Sequence, residues 1–316
     1  MSQLVPLILG DGIGPEISSS VKRIFKAAGV PIEWIEVPVG QTALDKGESL
    51  LPLSSIEKIR QQRCALKGPL TATYGKNVQD LNANLFEQFH LFARISPFKT
   101  LGTPSRYSDV NFVLISGIED HSGTISIQDQ SEQLLRLAFE YALKHTRKKI
   151  TLVHHKQSSQ EYSNAFLRTA LLVSRSYPDI VLQDMALERA CFELVDKPER
   201  FDILVSTEIF SGILTHLGMA VTGGIALTPC SIVGKEITIF EPVHGTAADI
   251  TGMGIANPVA MIRAGILLLI HLGLNEYSVR IEKALKLSLA DSSYRTVDIK
   301  GSADTEKFTN RIIEQL

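Results

Sequence analysis

Apolar residues run almost unbroken from Leu4 to Leu9, stop at Gly10, Gly12 and Gly14, and resume with helical spacing over residues 17–28. The first run predicts a short buried strand and the second an amphipathic helix, with Pro15 suited to the helix start. A second strand is expected over residues 33–39 and a second helix over 54–60. Further apolar strands stand at residues 110–115, 150–153 and 203–205. Helical patterns at 132–144 and 164–174 separate them, and the chain closes with amphipathic helices over 276–289 and 305–316. Strands that alternate with helices in this way predict an α/β protein, mostly parallel sheet with helices on both faces.

The most apolar stretch, residues 264–274, contains His271 and is shorter than the ~20 residues a spanning helix needs, so a buried helix is expected. With 316 residues, 44% of them hydrophobic, the chain can fill one large domain or two ordinary ones. Lys and Arg total 32 against 34 acidic residues, a formal charge of −2. That balance gives no field for nucleic acid or an anionic membrane, and a small-molecule ligand is expected instead. Cys64, Cys191 and Cys230 lie far apart and show no metal-ligand spacing, which suits structural thiols. No basic flank or long apolar segment precedes the first strand, and cytoplasmic residence is the expectation.

Two segments carry candidate chemistry. In GDGIGPE, residues 10–16, small residues would let backbone approach a phosphate at a helix N-terminus. Pro15 and Glu16 depart from the GxGxxG pattern, so a plain strand-to-helix turn is an equal reading. The segment EPVHGTAADITGMGIANP, residues 241–258, reads as too irregular for helix or strand. It offers backbone amides for phosphate and, in Asp249, an acceptor for a ribose diol.

That segment, together with LILGDGIGPEI, ALKGPL, FDILVS and YRTVDIKGSADTEKF in order along the chain, resembles the isocitrate/isopropylmalate dehydrogenase family. The resemblance implies that family's two-domain fold with mostly parallel sheets. Residues 1–99 and 230–316 would form a cofactor-binding domain around an inserted substrate and dimerisation domain, 100–229. It implies cofactor contacts from His244, Gly245, Thr246, Ala247, Asp249 and Asn257. A carboxylate at position 249 would repel a 2′-phosphate, so the implied cofactor is NAD.

The family oxidises a 2-hydroxy acid by hydride transfer and then releases a β-carboxylate. It uses arginine clamps, a divalent metal held by aspartates, and a Lys/Tyr pair for proton transfer. In its substrate segment the family has an arginine four residues after an Asn and another before a Pro. This chain has Asn82, then Phe86, and later Ala93, Arg94, Ile95, Ser96 and Pro97. A third arginine position holds Ser116. Asn82 and a displaced Arg94 are thus the expected substrate residues. Three lost charge-assisted contacts amount to roughly 4.5 to 9 kcal/mol, at least about a thousandfold in affinity for the family's substrates.

In 208–216 the family's two metal aspartates correspond to Gly212 and His216, and another corresponds to Glu188. No Mg²⁺ or Mn²⁺ site is expected, although Glu188, Glu208 and His216 form a conceivable softer set. His155 stands at the proton-transfer lysine position with Lys156 beside it, and either could serve as acid or base. The interval after Ser116 is shorter than the family norm, with Gly123 near the position of the catalytic Tyr and the clasping arm reduced. Dimerisation through helices stays open.

Three functions compete. A catalytically degenerate homologue would bind NAD or an adenine nucleotide and serve as a regulatory or non-catalytic subunit in a homo- or hetero-oligomer with a family member. An NAD-dependent oxidoreductase would act on a different 2-hydroxy acid. An interface-only structural paralogue would bind nothing.

Overall fold

The computed structural model describes residues 2–71, 80–103, 105–118, 125–155 and 160–316. They fall into two compact units, Met1–Leu91 with Leu101–Pro104 and Gly223–Leu316, and Phe92–Thr100 with Ser105–Thr222. The expected first boundary, 99, would follow the strand Leu91–Lys99. The structure draws it near the beginning of that strand, because residues 93–99 pair with residues 111–117 of the second unit.

Unit 1 begins with β1 (Gln3–Ile8), α1 (Gly14–Ala27), β2 (Ile32–Glu36), the single turn α2 (Gln41–Leu44), α3 (Leu53–Gln62), β3 (Cys64–Lys67) and α4 (Leu81–Gln88). After the excursion into unit 2 it continues with β9 (Pro229–Gly234), β10 (Thr238–Pro242), α9 (Val259–His271), α10 (Asn275–Ala290) and α11 (Thr305–Glu314). The strand order is β2-β1-β3-β10-β9. Every pairing is parallel except β10 with β9. Helix α9 buries most of its surface, including Val259, Met261, Ile262, Leu268 and Leu269, as a helix apolar on all sides must. It begins five residues before the apolar stretch read from sequence. α1 and α11 pack on each other and on the same core through Ile17, Val21, Phe308 and Ile312.

Unit 2 holds β4 (Leu91–Lys99), β5 (Asn111–Gly117), α5 (Ile127–Lys144), β6 (Lys149–His154), α6 (Gln160–Ser174), β7 (Val181–Ala186), α7 (Leu187–Asp196), β8 (Ile203–Ser206) and α8 (Glu208–Thr222). Its order is β4-β5-β8-β6-β7, with β4 antiparallel to β5 and the other pairs parallel. The α/β class and the predominance of parallel pairing agree with the sequence reading. α5 starts five residues earlier than its apolar pattern suggests. Ser126 accepts a hydrogen bond from the Asp129 amide at 3.1 Å and donates to its carboxylate at 2.7 Å, a capping arrangement that accounts for the earlier start.

α5 ends in a left-handed cap in which Arg147 N–H donates to Ala142 O at 2.8 Å and Thr146 N–H to Leu143 O at 3.3 Å. The left-handed residue is Thr146, φ +56°, where a β-branched side chain is strained. Thr146→Gly is expected to raise unfolding free energy by about 1 kcal/mol, read as a higher urea midpoint at unchanged slope. Among the described residues no helix is long and apolar enough to cross a membrane.

Candidate functional site

In unit 1 the irregular segment between β10 and α9 is anchored at both ends. Glu241 and Pro242, read from sequence as part of the loop, belong to β10, where they pair with Cys230 and Pro229. The register Leu66↔Phe240 sets the next residues, Lys67 and Glu241, side by side at the ends of parallel strands. Their charged groups form an ion pair, with side chains 3% and 15% exposed. Sequence reasoning did not find this pair, because the partners are far apart in the chain and only strand order makes them neighbours.

His244 follows, buried, its Nδ1–H donating to Gly245 O at 2.9 Å. Burial holds its pKa below the usual imidazole range, so it is neutral near pH 7. With the proton on Nδ1, Nε2 is an acceptor, and it has no hydrogen-bond partner among the described residues. Thr246 O accepts from Ile13 N–H at 3.0 Å, joining this loop to the glycine turn. Ala247 takes a left-handed backbone, φ +42°, and starts the short turn Ala248–Ile250, which leaves Asp249 exposed.

Asn257 is engaged inside the protein. Its Nδ2–H donates to Asp298 at 2.9 Å and its Oδ1 accepts from Val259 N–H at 3.0 Å, so its side chain fastens the start of α9 to the segment after α10. The side chains expected to serve one cofactor therefore divide. Gly245 and Asp249 face solvent, while His244 and Asn257 are buried.

The two readings left open for GDGIGPE also separate. Gly10 (φ +83°) and Gly12 (φ +57°) make the turn. The Asp11 carboxylate accepts from the amides of Gln41 at 3.0 Å and Thr71 at 2.7 Å. Glu16 accepts from Ala256 N–H at 2.9 Å and from the Thr305 hydroxyl. Its two acidic side chains thus tie unit 1 together, as a strand-to-helix turn would.

In unit 2 a polar row crosses the sheet, Arg94 of β4 opposite Ser116 of β5, which in turn pairs with Ser206 of β8. Arg94 forms an ion pair with Glu208, in the first turn of α8, at 3.6 Å. Just beyond β6, His155 Nε2 lies 3.1 Å from Glu188 of α7, and its ring packs against Phe210 at 5.7 Å. The preceding His154, buried, lies 3.1 Å from Asp184 of β7. These partnerships follow from strand order, and no local pattern in the chain points to them.

Lys156 and Gly123 lie outside the described residues. Asn82 is partly exposed in the first turn of α4, where its backbone N–H donates to the Asp80 carboxylate at 2.8 Å, and it belongs to unit 1 whereas Arg94 belongs to unit 2. The conceivable metal set is not assembled. Glu188 pairs with His155, Glu208 with Arg94, and His216 Nδ1–H donates to its own helix at Gly212 O, 2.7 Å. No group of three possible ligands forms among the described residues. The cysteines are free thiols, and burial pushes that of Cys64 up to about 11, far from a reactive thiolate.

Comparison with known proteins places these features in a lineage. The model of the family described as isocitrate/isopropylmalate dehydrogenase matches residues 4–120 and 121–316. The chain is 39% identical over 332 residues to the NAD isocitrate dehydrogenase subunit 2, mitochondrial, of Kluyveromyces lactis, covering 99% of this chain and 90% of that protein. It is 35% identical over 332 residues to a mitochondrial regulatory subunit of NAD isocitrate dehydrogenase from Dictyostelium discoideum, covering 99% and 92%. The crystal structure of isocitrate dehydrogenase from Methylococcus capsulatus superposes with a TM-score of 0.92 at 32% identity, covering 99% of each chain.

The expected cytoplasmic residence is corrected by these comparisons, since the two relatives just named are mitochondrial proteins. A targeting segment is an address read by receptors and leaves no mark on the fold, so the composition of the folded chain could not reveal the compartment. Sequence, fold and the order of motifs agree over the whole length, and the chain belongs to the isocitrate/isopropylmalate dehydrogenase family.

Proposed function

We propose that this chain is a family subunit that binds NAD, or a related adenine nucleotide, through the 244–257 loop of unit 1 and has lost the catalytic centre. It would act as a regulatory or non-catalytic partner of another family member, in mitochondria as its relatives do. One observation carries the loss of catalysis. The guanidinium candidate of unit 2, Arg94, is matched by a carboxylate of the chain itself, Glu208. A clamp for an anionic substrate needs a cation left to the substrate. The relatives include subunits named catalytic and one named regulatory, so their names do not decide this point.

The loop suits a nucleotide. Exposed Gly245 and Asp249 offer backbone to a phosphate and a carboxylate to a ribose diol, and the unpartnered Nε2 of His244 is an acceptor in want of a donor. Bound NAD would supply a hydride acceptor. Among the described residues no cluster of carboxylates matches the family's divalent metal. Assembly is supported by α7 and α8, which pack on each other and leave Phe192 (68%), Ile209 (62%) and Ile213 (50%) exposed, an apolar surface suited to another family member.

Calorimetric titration with NAD and NADP, with and without Mg²⁺, tests the reading. The expected result is NAD binding independent of metal, NADP at least about tenfold weaker, and that preference lost in Asp249→Asn. Absence of binding by either nucleotide would overturn the cofactor assignment and leave an interface-only paralogue.

The contact between His155 and Glu188 favours a second reading, since an imidazole oriented by a carboxylate is the usual design of a general base. An oxidoreductase for another 2-hydroxy acid would then form NADH from some member of a 2-hydroxy acid panel, unaffected by EDTA and abolished in His155→Phe. A panel without turnover removes this reading.

A further inference from the structure

We infer that unit 1 carries a second small-molecule site, for an aromatic phosphate, in the cleft between α1 and the outer strand β2. The cleft encloses about 530 Å³, within the range of small-ligand pockets. Lys22, Arg23 and Lys26 line it from α1, and Ile32 and Trp34 line it from β2. No acidic residue is among those that line it. The basic wall follows from helical spacing, since Lys26 stands four residues after Lys22 and three after Arg23. The apolar wall follows from the pleat, which turns Ile32 and Trp34 to one side of β2.

Trp34 is half-buried. Its ring packs against Phe25 of α1 with centroids 5.6 Å apart, and the rest of it borders the cleft. An indole already fixed by the core offers its remaining surface to a flat ring with little loss of side-chain freedom. Opposite it, Lys22 pairs with Glu36 at 2.6 Å, and Arg23 reaches Asn310 and, at 4.0 Å, Glu306. These partners are exposed and screened, and they leave the three cations in excess. Lys26 is exposed and has no ion-pair or hydrogen-bond partner among the described residues. A phosphate suits such a wall, because its several oxygens accept from more than one cationic donor at once. A ring on Trp34 and a phosphate on the lysines satisfy both walls together.

The cleft is distinct from the loop proposed to hold NAD. That loop meets the start of α1, where Ile13 N–H donates to Thr246 O. Lys26 stands in the last turn of the same helix, roughly 18 Å from Gly14 by helical rise.

The test titrates the intact chain with phenyl phosphate, inorganic phosphate and phenol, followed by calorimetry and by the fluorescence of Trp34, the only tryptophan. Phenyl phosphate is expected to bind at one site with a Kd of about 1 mM or below and to change the fluorescence over the same concentrations. Inorganic phosphate and phenol, each matching one wall alone, are expected to bind at least about fivefold more weakly. Lys26→Met is expected to weaken phenyl phosphate about fivefold, and Lys58→Met, which removes an exposed charge from α3, to leave it unchanged.

Trp34→Leu, read by calorimetry, is expected to lose as much as Lys26→Met. A melting curve for each variant separates lost folding from lost binding, and the exposed Lys26 keeps the test decisive should Trp34→Leu fold poorly. Saturating NAD is expected to leave the affinity for phenyl phosphate unchanged. Competition by NAD would put the phosphate on the 244–257 loop and overturn the proposal. So would equal affinities for phenyl phosphate and inorganic phosphate, equal affinities of the intact chain and Lys26→Met, or no saturable binding below about 10 mM. A chain that binds phenyl phosphate as expected but not NAD counts against the nucleotide reading alone.

Discussion

Lys67→Met is expected to lower the stability of unit 1 by about 3 kcal/mol, the low end of what breaking a buried ion pair costs. The lysine is 3% exposed, and besides Glu241 its ammonium reaches Gly68 O at 3.4 Å. Methionine fills much the same volume, so the loss would come from charge rather than a cavity. What remains is the Glu241 carboxylate, 15% exposed, facing an apolar side chain in place of an ammonium. That slight exposure lets Glu241 recover some hydration and holds the effect below the extreme of the range.

The measurement is favourable because the only tryptophan, Trp34, lies on β2 and reports on unit 1 without a signal from unit 2. Urea unfolding followed by its fluorescence avoids treating two units as one transition. Lys67→Met combined with Glu241→Gln is expected to recover more than half of the loss, since the orphaned charge is then gone. A loss under about 1 kcal/mol in the single variant would mean that the pair is solvated and structurally idle.

Gly12→Ala is expected to weaken NAD binding at least about tenfold and to cost unit 1 about 2 kcal/mol. A Cβ on Gly12 would stand 2.1 Å from Thr246 O, backbone that cannot swing aside as a long side chain can. The same carbonyl accepts the Ile13 N–H bond, so relief of the clash must move the 244–257 loop or break that bond. Either change displaces the segment proposed to hold the nucleotide.

Gly47→Ala separates this close approach from simple backbone strain. Gly47 also has a left-handed backbone, φ +73°, but a Cβ there would meet nothing within 4 Å. Its expected cost is about 1 kcal/mol with NAD affinity unchanged. Equal effects of the two variants on binding would show that the contact between the turn and the loop has no part in nucleotide affinity.

These predictions depend on features with unequal visibility in the sequence. The alternation of strands and helices and the buried character of α9 are local, because the period of apolar residues is set within a few positions. Element ends are less visible. α5 and α9 both begin five residues before their apolar pattern suggests, since the first turn of a helix is held by caps and tertiary packing as much as by its stripe.

The 244–257 loop is recognisable from its order of residues, yet the inward use of Asn257 on Asp298 is not, because an amide looks the same in sequence whether it faces a ligand or its own chain. By itself, the sequence determined the α/β class and the family, and it showed Phe86, Ser96 and Ser116 where the resemblance implies arginines. The tertiary structure decided that Lys67 meets Glu241, that Arg94 meets Glu208 and that His155 meets Glu188. Each of those pairs joins residues distant in the chain, and the energy of a charge depends on what strand order and helix packing bring within a few ångströms of it.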